Sequence, residues 1–353
     1  MPKTIKRCFD KNLTFIKLIE AHERAKKNKM SKKEVLLFEM DLETNITNIL
    51  NAIQNGTYKM GRYREFKIYE PKERIIKSLP YPDRVVHQWY VEEFIKPYIV
   101  PRFIYDSYAC ITDRGTHKAV ERLQYFMRKK YRQNPNYYIV KCDIKSYFYN
   151  IDKDILTGIM ERYISDKKLM AFTKLMIDGG EKDRIGLPIG NYTSQYFANI
   201  YLNELDYYMK FELRQKYYVR YMDDFMILVD NKQEARELLR KINNFVIERL
   251  HLELNHKSGY YPRKMGANFC GFRIWETHIL IRKRSIKKMK KNVRKWNKGE
   301  NDGKDILLSY NSWLGHISHG NSYNLKLKIN SMMNDDVKKI LGITDSEEAS
   351  VES

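Results

Sequence analysis

Apolar and polar positions follow two different periods along the chain, and together they predict an α+β fold. Helical spacing runs through residues 11–29 and 31–55, and Ser31 with Glu34 predicts a capping box for the second helix. Strand-like runs on both sides of residues 70–73 predict a basic hairpin. Asp83 is predicted to cap the next helix, whose apolar positions are Val85, Val86, Trp89, Tyr90 and Phe94.

The middle of the chain is predicted to place acidic residues at strand ends. Residues 137–143 predict a buried strand that ends on Asp143, and β-rich runs between residues 218 and 229 flank Asp223-Asp224. The other predicted elements are helices over about 116–131, 153–178, 193–214 and 232–250, a glycine-rich loop at 186–190, short strands near 252, 268 and 278, and a helical region from 283.

The charge balance indicates a polyanionic partner. The chain has 65 Lys and Arg against 44 Asp and Glu, a formal charge of +21, which suits nucleic acid or an acidic membrane. Its 27 Tyr residues suit base stacking as well as ordinary cores. No apolar signal core and no long apolar stretch appear, so we expect a cytoplasmic protein without a membrane span. The four Cys, without a CxxC spacing, predict neither a zinc site nor a disulfide framework.

Asp143, Asp223 and Asp224 are candidate ligands for two Mg²⁺ ions. Phosphoryl transfer to a nucleotide uses two divalent cations about 3.5–4 Å apart, and carboxylates at neighbouring strand ends supply hard oxygen ligands. Taken singly, an Asp-Asp pair between strands is also typical of a turn, and Asp143 of a cap. Phe225 follows the pair directly, so no Gly is present there to take a positive φ.

Several motifs in order resemble those of reverse transcriptases. Tyr221-Met222-Asp223-Asp224 is that family's tetrapeptide, and the resemblance covers about residues 60–320. The other matching segments are Asp143-Ile144-Lys145-Ser146-Tyr147-Phe148, Gly186-Leu187-Pro188-Ile189-Gly190-Asn191 with Ser194-Gln195, Leu254-Asn255-His256-Lys257-Ser258, Phe269-Cys270-Gly271-Phe272, residues 74–88 and Ser107-Tyr108.

The resemblance implies a right-hand polymerase architecture with fingers, a palm built on an antiparallel sheet, and a small helical thumb. The implied segments are a helical lead-in (1–60), fingers with part of the palm (61–135), palm (136–275, with a fingers insertion at about 153–185), thumb (276–342) and a disordered acidic tail (343–353). It also implies that Asp143, Asp223, Asp224 and the backbone carbonyl of Ile144 hold two Mg²⁺, with Mn²⁺ as an alternative ion.

Further roles come with the resemblance. Phe148 matches an aromatic steric gate that selects dNTPs, although a plain core role remains the alternative. Arg74, and with less support Lys67 and Lys72, match residues that grip the triphosphate; solvated hairpin charges are the alternative for the two lysines. Lys257 matches a lysine that protonates departing pyrophosphate, against a plain surface lysine. Ile189 and Gly190 match positions beside the nucleotide, and apolar Ile189 where many members carry Gln predicts reduced fidelity.

The basic segment 282–298 has ten basic residues and no acidic residue. As a helix it would present several of them on one face, suited to a template–primer backbone, whereas a merely solvated helix is the alternative. The implied nucleic-acid contacts are Tyr221, Met222, Gly271, Lys287, Lys288, Lys291 and Arg294.

The finer resemblance is to the reverse transcriptases of diversity-generating retroelements. It rests on residues 186–195, on Tyr310-Asn311-Ser312-Trp313-Leu314-Gly315-His316 and on the compact length. It implies error-prone cDNA synthesis on a structured template RNA with a primer, dNTPs and a small basic accessory protein. Phage-defence or retron-like reverse transcriptases, an RNA-dependent RNA polymerase and a non-catalytic RNA-binding scaffold remain alternatives; Phe148 argues against the RNA polymerase.

Overall fold

The structure is a computed structural model that describes residues 4–69, 73–180 and 183–343. Its α-helices are α1 (Phe9–Asn12), α2 (Phe15–Lys26), α3 (Lys33–Met40), α4 (Leu42–Gln54), α5 (Tyr81–Tyr90), α6 (Lys96–Tyr98), α7 (Thr116–Gln133), α8 (Tyr147–Asn150), α9 (Lys153–Tyr163), α10 (Lys167–Asp178), α11 (Tyr192–Tyr207), α12 (Lys232–Leu250), α13 (Lys283–Trp296), α14 (Gly303–Ile317), α15 (Tyr323–Asn330) and α16 (Asp335–Leu341). Its strands are β1 (Arg64–Ile68), β2 (Arg74–Ser78), β3 (Tyr138–Asp143), β4 (Tyr218–Tyr221), β5 (Asp224–Val229), β6 (Gly259–Pro262), β7 (Ala267–Phe269), β8 (Phe272–Ile274) and β9 (Ile279–Ile281).

The N-terminal helices differ from the prediction in one respect. The predicted helix over 31–55 is two helices, α3 and α4, separated at Asp41. The predicted capping box is wrong, because α3 begins after Lys32 without a side-chain cap. Glu34 instead pairs with Arg84 of α5, with Oε1 2.7 Å from Nη1. Glu34 is therefore used for a tertiary contact between helices rather than for a local one.

The basic hairpin of β1 and β2 is present as predicted. The two strands are antiparallel and place Lys67 opposite Ile75. Asp83, predicted as a helix cap, instead lies in the first turn of α5, which begins at Tyr81. Its buried carboxylate accepts hydrogen bonds from the Tyr58 hydroxyl at 2.6 Å and from the Gly61 backbone N–H at 3.0 Å. The residue thus holds the chain that leads into β1.

A four-stranded antiparallel sheet in the order β4-β5-β3-β6 forms the centre of the molecule. Strand side chains alternate between two faces. One face, which includes Val140, Cys142 and Ile227, packs in a large core that extends to α2, α5, α11 and α12. The other face, which includes Ile139 and Met226, packs in a second core with α7, the β7–β9 sheet and the C-terminal helices.

The architecture is the predicted α+β class with an antiparallel palm sheet. The fourth strand, β6, was not predicted, and the strand expected near 252 is only a bridge between Ile144 and Leu254. Among the described residues, no helix combines the length and apolarity that a membrane span requires.

Candidate active site

Three aspartates meet at one end of the central sheet. Asp143 ends β3 and lies directly opposite Asp224, which begins β5. Since paired residues of an antiparallel ladder share a face, the two carboxylates project from the same side of the sheet. Asp223 lies in the turn that joins β4 to β5. The structure therefore brings together the three acidic residues that the sequence singled out.

The turn itself consists of Met222 and Asp223, because Tyr221 pairs with Asp224. Met222 takes a positive φ of 55°. Two-residue hairpin turns of this kind normally place Gly at such a position. Asp223-Asp224 was predicted to form the turn, without a Gly to take a positive φ; the turn instead lies one residue earlier, and Met222 takes the positive φ. A methionine in a left-handed conformation must be held by its surroundings.

A buried arginine provides that support. Arg220 is fully buried, and its Nη1 donates to the Met222 carbonyl at 2.9 Å and to Asn199 Oδ1 at 3.0 Å. Its Nε and Nη2 donate to both oxygens of buried Asp206, at 2.7 and 2.5 Å. The Tyr218 hydroxyl also donates to Asp206, at 2.6 Å. Arg220 lies on the opposite sheet face from Asp224, so this network supports the turn from behind.

The pKa values of the Asp223 and Asp224 carboxyls are raised from 3.8 to about 6. For Asp223 the cause is burial and then the charge of Asp143, while Arg74 and Arg220 act in the opposite direction. For Asp224 burial again dominates, nearby Lys141 lowers the pKa, and Asp143 raises it. Negative charge is therefore concentrated at this end of the sheet and incompletely compensated by protein cations.

The carboxylate oxygens at this end of the sheet suit a divalent cation as ligands. Asp224 Oδ1 is shielded from solvent and accepts no hydrogen bond from the protein. Its nearest cation is the Lys141 ammonium, 3.4 Å away, which also donates to the Asn268 carbonyl at 2.7 Å. A buried oxygen without a donor, beside two further carboxylates, matches the hard oxygen ligands that Mg²⁺ takes.

A second group of potential ligands does not fit a metal ion as well. His22, Glu23 and Glu39 place three ligand atoms within 4.8 Å of one another. The Lys26 ammonium, however, already lies 2.6 Å from a Glu23 oxygen and 2.7 Å from a Glu39 oxygen. These residues form an ion-pair cluster that joins α2 to α3.

Asp143 and its neighbours are fixed by the turn before β6. The Asp143 carbonyl accepts from Asn255 N–H at 2.7 Å, and its own N–H donates to Ser258 Oγ at 3.1 Å. Lys257 is exposed on this turn, between Asn255 and Ser258, and its N–H donates to Asn255 Oδ1 at 3.1 Å. Ile144, next to Asp143, is buried and forms an antiparallel bridge with Leu254.

The basic hairpin of β1 and β2 places Arg74 within electrostatic reach of Asp223, because Arg74 lowers the pKa of that carboxyl. Lys67 pairs with Glu73 at 2.8 Å, and both side chains are more than half exposed. Lys72 lies outside the described residues. Among the predicted triphosphate residues that the structure describes, Arg74 is thus brought within electrostatic reach of Asp223.

The glycine-rich loop is tied both to the palm and to the hairpin. Leu187 N–H donates to the Phe148 carbonyl at 2.7 Å, and Lys77 N–H donates to the Ile189 carbonyl at 2.9 Å. Gly190 has a φ of 128°, and an added Cβ would lie 2.5 Å from the Lys77 carbonyl oxygen. At Gly190 the loop backbone therefore approaches the hairpin backbone closely.

The remaining predicted contacts lie along one side of the palm and on α13. Tyr221 and Met222 are half-buried at the turn. Gly271, with a φ of 90°, forms a two-residue turn with Cys270, and a Cβ there would lie 3.2 Å from His316. Helix α13 buries Met289, Val293 and Trp296, and its exposed positions include the four predicted basic residues, Lys287, Lys288, Lys291 and Arg294.

Sequence reasoning missed the supporting residues. Arg220, Asp206 and Asn199 hold the turn, Lys141 contacts Asp224, and Ser258 fixes Asp143. One signal was available: Arg220 interrupts an apolar strand, and a charge in such a run needs a buried partner. Its partner Asp206 carried no comparable signal, since the pairing depends on how α11 crosses the sheet.

An antiparallel sheet with paired carboxylates at one end, enclosed by helices on one face and by a hairpin sheet and helices on the other, is a right-hand polymerase palm. That is the class that the fold defines. The sequence profile described as "Reverse transcriptase (RNA-dependent DNA polymerase)" matches residues 70–274, more than half of the chain. The chain therefore belongs to the reverse transcriptase family.

Curated relatives include group II intron proteins. The chain is 27% identical to the group II intron-encoded protein LtrA of Lactococcus lactis subsp. cremoris, across 49% of this chain and 29% of that protein. It is 24% identical to the putative COX1/OXI3 intron 2 protein of Saccharomyces cerevisiae, across 42% and 25%. Protein YkfC of Escherichia coli is 26% identical, across 51% and 56%. The chain thus spans between about a quarter and just over half of these relatives, and the similarities agree with a group II intron-like lineage.

Solved structures with a partial match include telomerases. Apo telomerase from Candida tropicalis, truncated from its C-terminal domain, matches with a TM-score of 0.47 and 14% identity, across 66% of this chain and 59% of that chain. Telomerase from Candida albicans in complex with a fragment of telomeric RNA matches with a TM-score of 0.45 and 11% identity, across 88% and 66%.

Proposed function

We propose that this chain is an RNA-directed DNA polymerase that copies a structured RNA into cDNA. The observation that carries the proposal is the pairing of Asp143 with Asp224 at the end of the sheet, with Asp223 on the adjoining turn. Family membership supports the same reaction. In this assignment Asp143, Asp223, Asp224 and the Ile144 carbonyl hold two Mg²⁺, or Mn²⁺ in its place.

The bound ions would activate the primer 3′ hydroxyl and neutralise the leaving pyrophosphate. Arg74 binds the triphosphate, because a guanidinium fork matches phosphate oxygens and the residue lies near Asp223. Lys67 can also bind the triphosphate, but only after its exposed ion pair with Glu73 has broken. Lys257 donates a proton to pyrophosphate, since its ammonium is oriented as a donor near phosphates. Phe148, Ile189 and Gly190 shape the nucleotide site.

The template and primer contact the palm and the C-terminal helices in this proposal. Tyr221, Met222 and Gly271 lie beside the 3′ end, and the exposed basic face of α13 follows the phosphate backbone. The corresponding division is a helical lead-in (1–60), fingers (61–135), palm (136–275, with the fingers insertion at about 153–185) and thumb (276–342). Residues 344–353 of the predicted acidic tail lie outside the described residues.

Primer extension tests the reaction. An RNA template with a DNA primer, dNTPs and Mg²⁺ should give full-length cDNA, and Asp223→Asn should give none because a metal ligand is lost. Asp183→Asn, at an exposed position, is the matched control. Extension with rNTPs in place of dNTPs would instead identify an RNA polymerase. RNA binding without any extension would identify a non-catalytic scaffold and would overturn the proposal.

We further propose that the cDNA is mutagenic and belongs to a diversity-generating retroelement, with a small basic accessory protein as partner. Support comes from the sequence of residues 186–195 and of the segment 310–316. In the structure the backbone of Ile189 anchors this loop to β2, so a change at Ile189 alters the side chain without removing that bond. Template-directed errors should therefore depend on the side chain itself.

Product sequencing tests the finer assignment. Errors should concentrate at template adenines, and Ile189→Gln should lower their frequency while full-length synthesis continues. Accurate cDNA from both the unchanged chain and Ile189→Gln would reject the mutagenic role and favour a phage-defence or retron-like enzyme. The accessory protein is tested separately, by asking whether a small basic protein from the same locus co-purifies with this chain.

A further inference from the structure

The outer face of α7 combines basic and aromatic side chains on a surface that no step of polymerisation uses. Tyr125 and Tyr131 are 43% and 41% exposed, and Tyr105 beside them is 66% exposed. The exposed basic residues of the same helix are Lys118, Arg128, Lys129 and Arg132. Glu121 is the exposed acidic residue on this face, so the surface carries a clear positive excess.

Cations already lie against several of these rings. The Arg122 guanidinium is 5.1 Å from the Tyr105 ring centre and 5.4 Å from that of Tyr125. The Lys129 ammonium lies 4.7 Å from the Tyr125 ring, and the Arg263 guanidinium 4.3 Å from the Tyr131 ring. Each tyrosine is thus braced from one side while a large part of its surface stays open to solvent. A ring held in this way is preorganised to receive a stacked base.

A concave site of about 330 Å³ adjoins the C-terminal end of α7. Arg128, Arg132 and Arg263 contribute three guanidinium groups, and Tyr131 and Trp275 contribute aromatic rings. The one carboxylate in its lining, Glu276, is buried and already accepts from Tyr137 at 2.8 Å and from Arg263 at 3.2 Å. Guanidinium forks beside aromatic rings suit a nucleotide, whose phosphate and base need different partners.

The C-terminal end of α7 and its concave site are separated from the aspartates by the length of the central sheet, whereas Tyr105 lies next to Asp106, whose carbonyl accepts from Arg220 N–H near the β4–β5 turn. Lys130 of α7 pairs with Asp230, just beyond the end of β5, and Arg263 follows the end of β6. Asp143 lies at the other end of β3, five residues from Tyr138, which corresponds to about 17 Å along the strand. A nucleotide in the α7 site would therefore occupy different residues from a nucleotide beside the aspartates.

We propose that the outer face of α7, with Arg263 and Trp275, is a second RNA-binding surface that holds unpaired nucleotides outside the polymerase site. Exposed tyrosines favour single-stranded RNA, because bases stack on open rings whereas a duplex presents mainly its backbone. Guanidinium forks pair with phosphate oxygens, and the Tyr131 and Trp275 rings beside them offer faces for bases, a combination that fits RNA better than an acidic protein surface. The proposal goes beyond the proposed polymerase reaction and does not require it.

RNA binding to a loaded protein tests the proposal. The full chain is first saturated with a short RNA–DNA template–primer, and binding of fluorescent oligouridine is then followed by anisotropy over a range of salt concentrations. Lys129→Glu with Arg132→Glu should weaken oligouridine at least about tenfold and lower the salt slope by about 1.4, since two phosphate contacts are lost. Tyr131→Ala should weaken it by about tenfold, the loss of one stacked base.

A matched control reverses two exposed arginines of α12, Arg236→Glu with Arg240→Glu, which lie on a helix against the opposite face of the central sheet. This control should bind oligouridine normally, and all variants should extend the short primer at the normal rate. Equal weakening by the control would show a nonspecific charge effect and overturn the proposal. Unchanged oligouridine binding in every variant would also overturn the proposal, and a protein would then be the remaining candidate partner for this face. A failed extension assay would count against the proposed polymerase reaction alone.

Discussion

At the scale of single residues, the site concentrates negative charge that the folded protein does not fully neutralise. Asp224 has an oxygen without a hydrogen-bond donor, and its pKa, like that of Asp223, is raised to about 6. A raised pKa in the folded state means that folding favours the protonated carboxyl. The stabilising contribution is fully present below about pH 4 and is lost as the pH rises through about 6. Without metal, the site therefore destabilises the protein at neutral pH.

Replacement of Asp224 by Asn should raise stability while abolishing activity. The amide keeps the shape of the side chain and removes the buried charge, so at neutral pH in a chelator we expect a gain of about 2 kcal/mol in unfolding free energy. Urea denaturation measures this gain in unfolding free energy. The gain should vanish below about pH 4, where the carboxyl is protonated in both the folded and the unfolded state. Asp183→Asn is the exposed control. A loss of stability in Asp224→Asn would show that the carboxylate is well compensated by Lys141.

Phe148 is expected to set sugar selectivity. The residue is half-buried, and its backbone carbonyl anchors the glycine-rich loop, so a smaller side chain opens space without removing that anchor. Phe148→Ala should raise the kcat/KM for rNTPs relative to dNTPs by at least about tenfold. Single-nucleotide incorporation measures the ratio. The neighbouring, exposed Tyr149→Ala should leave it unchanged, and an unchanged ratio in Phe148→Ala would assign this ring to the core.

At the scale of elements, the conformation of the β4–β5 hairpin depends on residues on its buried face. Arg220 holds the Met222 carbonyl and is itself fixed by Asp206 and Asn199. Its backbone is also held, because Arg220 N–H donates to the Asp106 carbonyl at 2.9 Å and its carbonyl accepts from Tyr108 at 3.0 Å. The left-handed turn is thus maintained by α11 and by the segment before α7.

Arg220 can be tested with a paired substitution. Arg220→Met leaves the Asp206 charge buried with the Tyr218 hydroxyl but without its cationic partner, which should cost about 3–5 kcal/mol of stability and most of the activity. Arg220→Met with Asp206→Leu removes both charges and should recover part of the stability. Activity should stay low, because the Met222 carbonyl remains unsupported. Urea denaturation and primer extension measure the two effects. If the double variant regained both stability and activity, Arg220 would have a structural role alone.

The sequence predicted the elements whose pattern is local. Strand β3, the β4–β5 hairpin and α7 were found because long apolar runs or helical spacing define them. Strand β6 was missed, since only four residues pair with β3 and nothing in their own pattern distinguishes them from a loop. The capping box at Ser31 failed because Glu34 is drawn to Arg84, fifty residues away. The aspartates were found by motif order, whereas their supports depend on contacts between distant elements.

At the scale of the whole molecule, one continuous core joins the N-terminal helices to the palm. Leu18 and Ala21 of α2 belong to the same buried cluster as Val140 of β3 and Phe225 of β5. Polar contacts reinforce this: Trp89 Nε1 donates to the Asn12 carbonyl at 2.8 Å, and Tyr81 contacts His22 at 3.0 Å. The N-terminal helices are therefore part of the palm's support.

Leu18→Ala should destabilise the whole protein in a single unfolding transition. Its side chain is fully buried, so its truncation should cost about 2–5 kcal/mol. Ile16→Ala, on the same helix but 69% exposed, should have little effect. Urea denaturation followed by two optical signals measures both. Two separate transitions would contradict a shared core.

The Lys141 ammonium links the proposed metal site to the β7–β8 hairpin. It contacts the Asn268 carbonyl of β7 and faces the Asp224 carboxylate, so it acts as a stand-in cation beside the very oxygen that lacks a donor. A divalent ion at the proposed site would compete with Lys141 for Asp224. Its binding would then weaken the Lys141–Asp224 contact, which is one link between β5 and the β7–β8 hairpin.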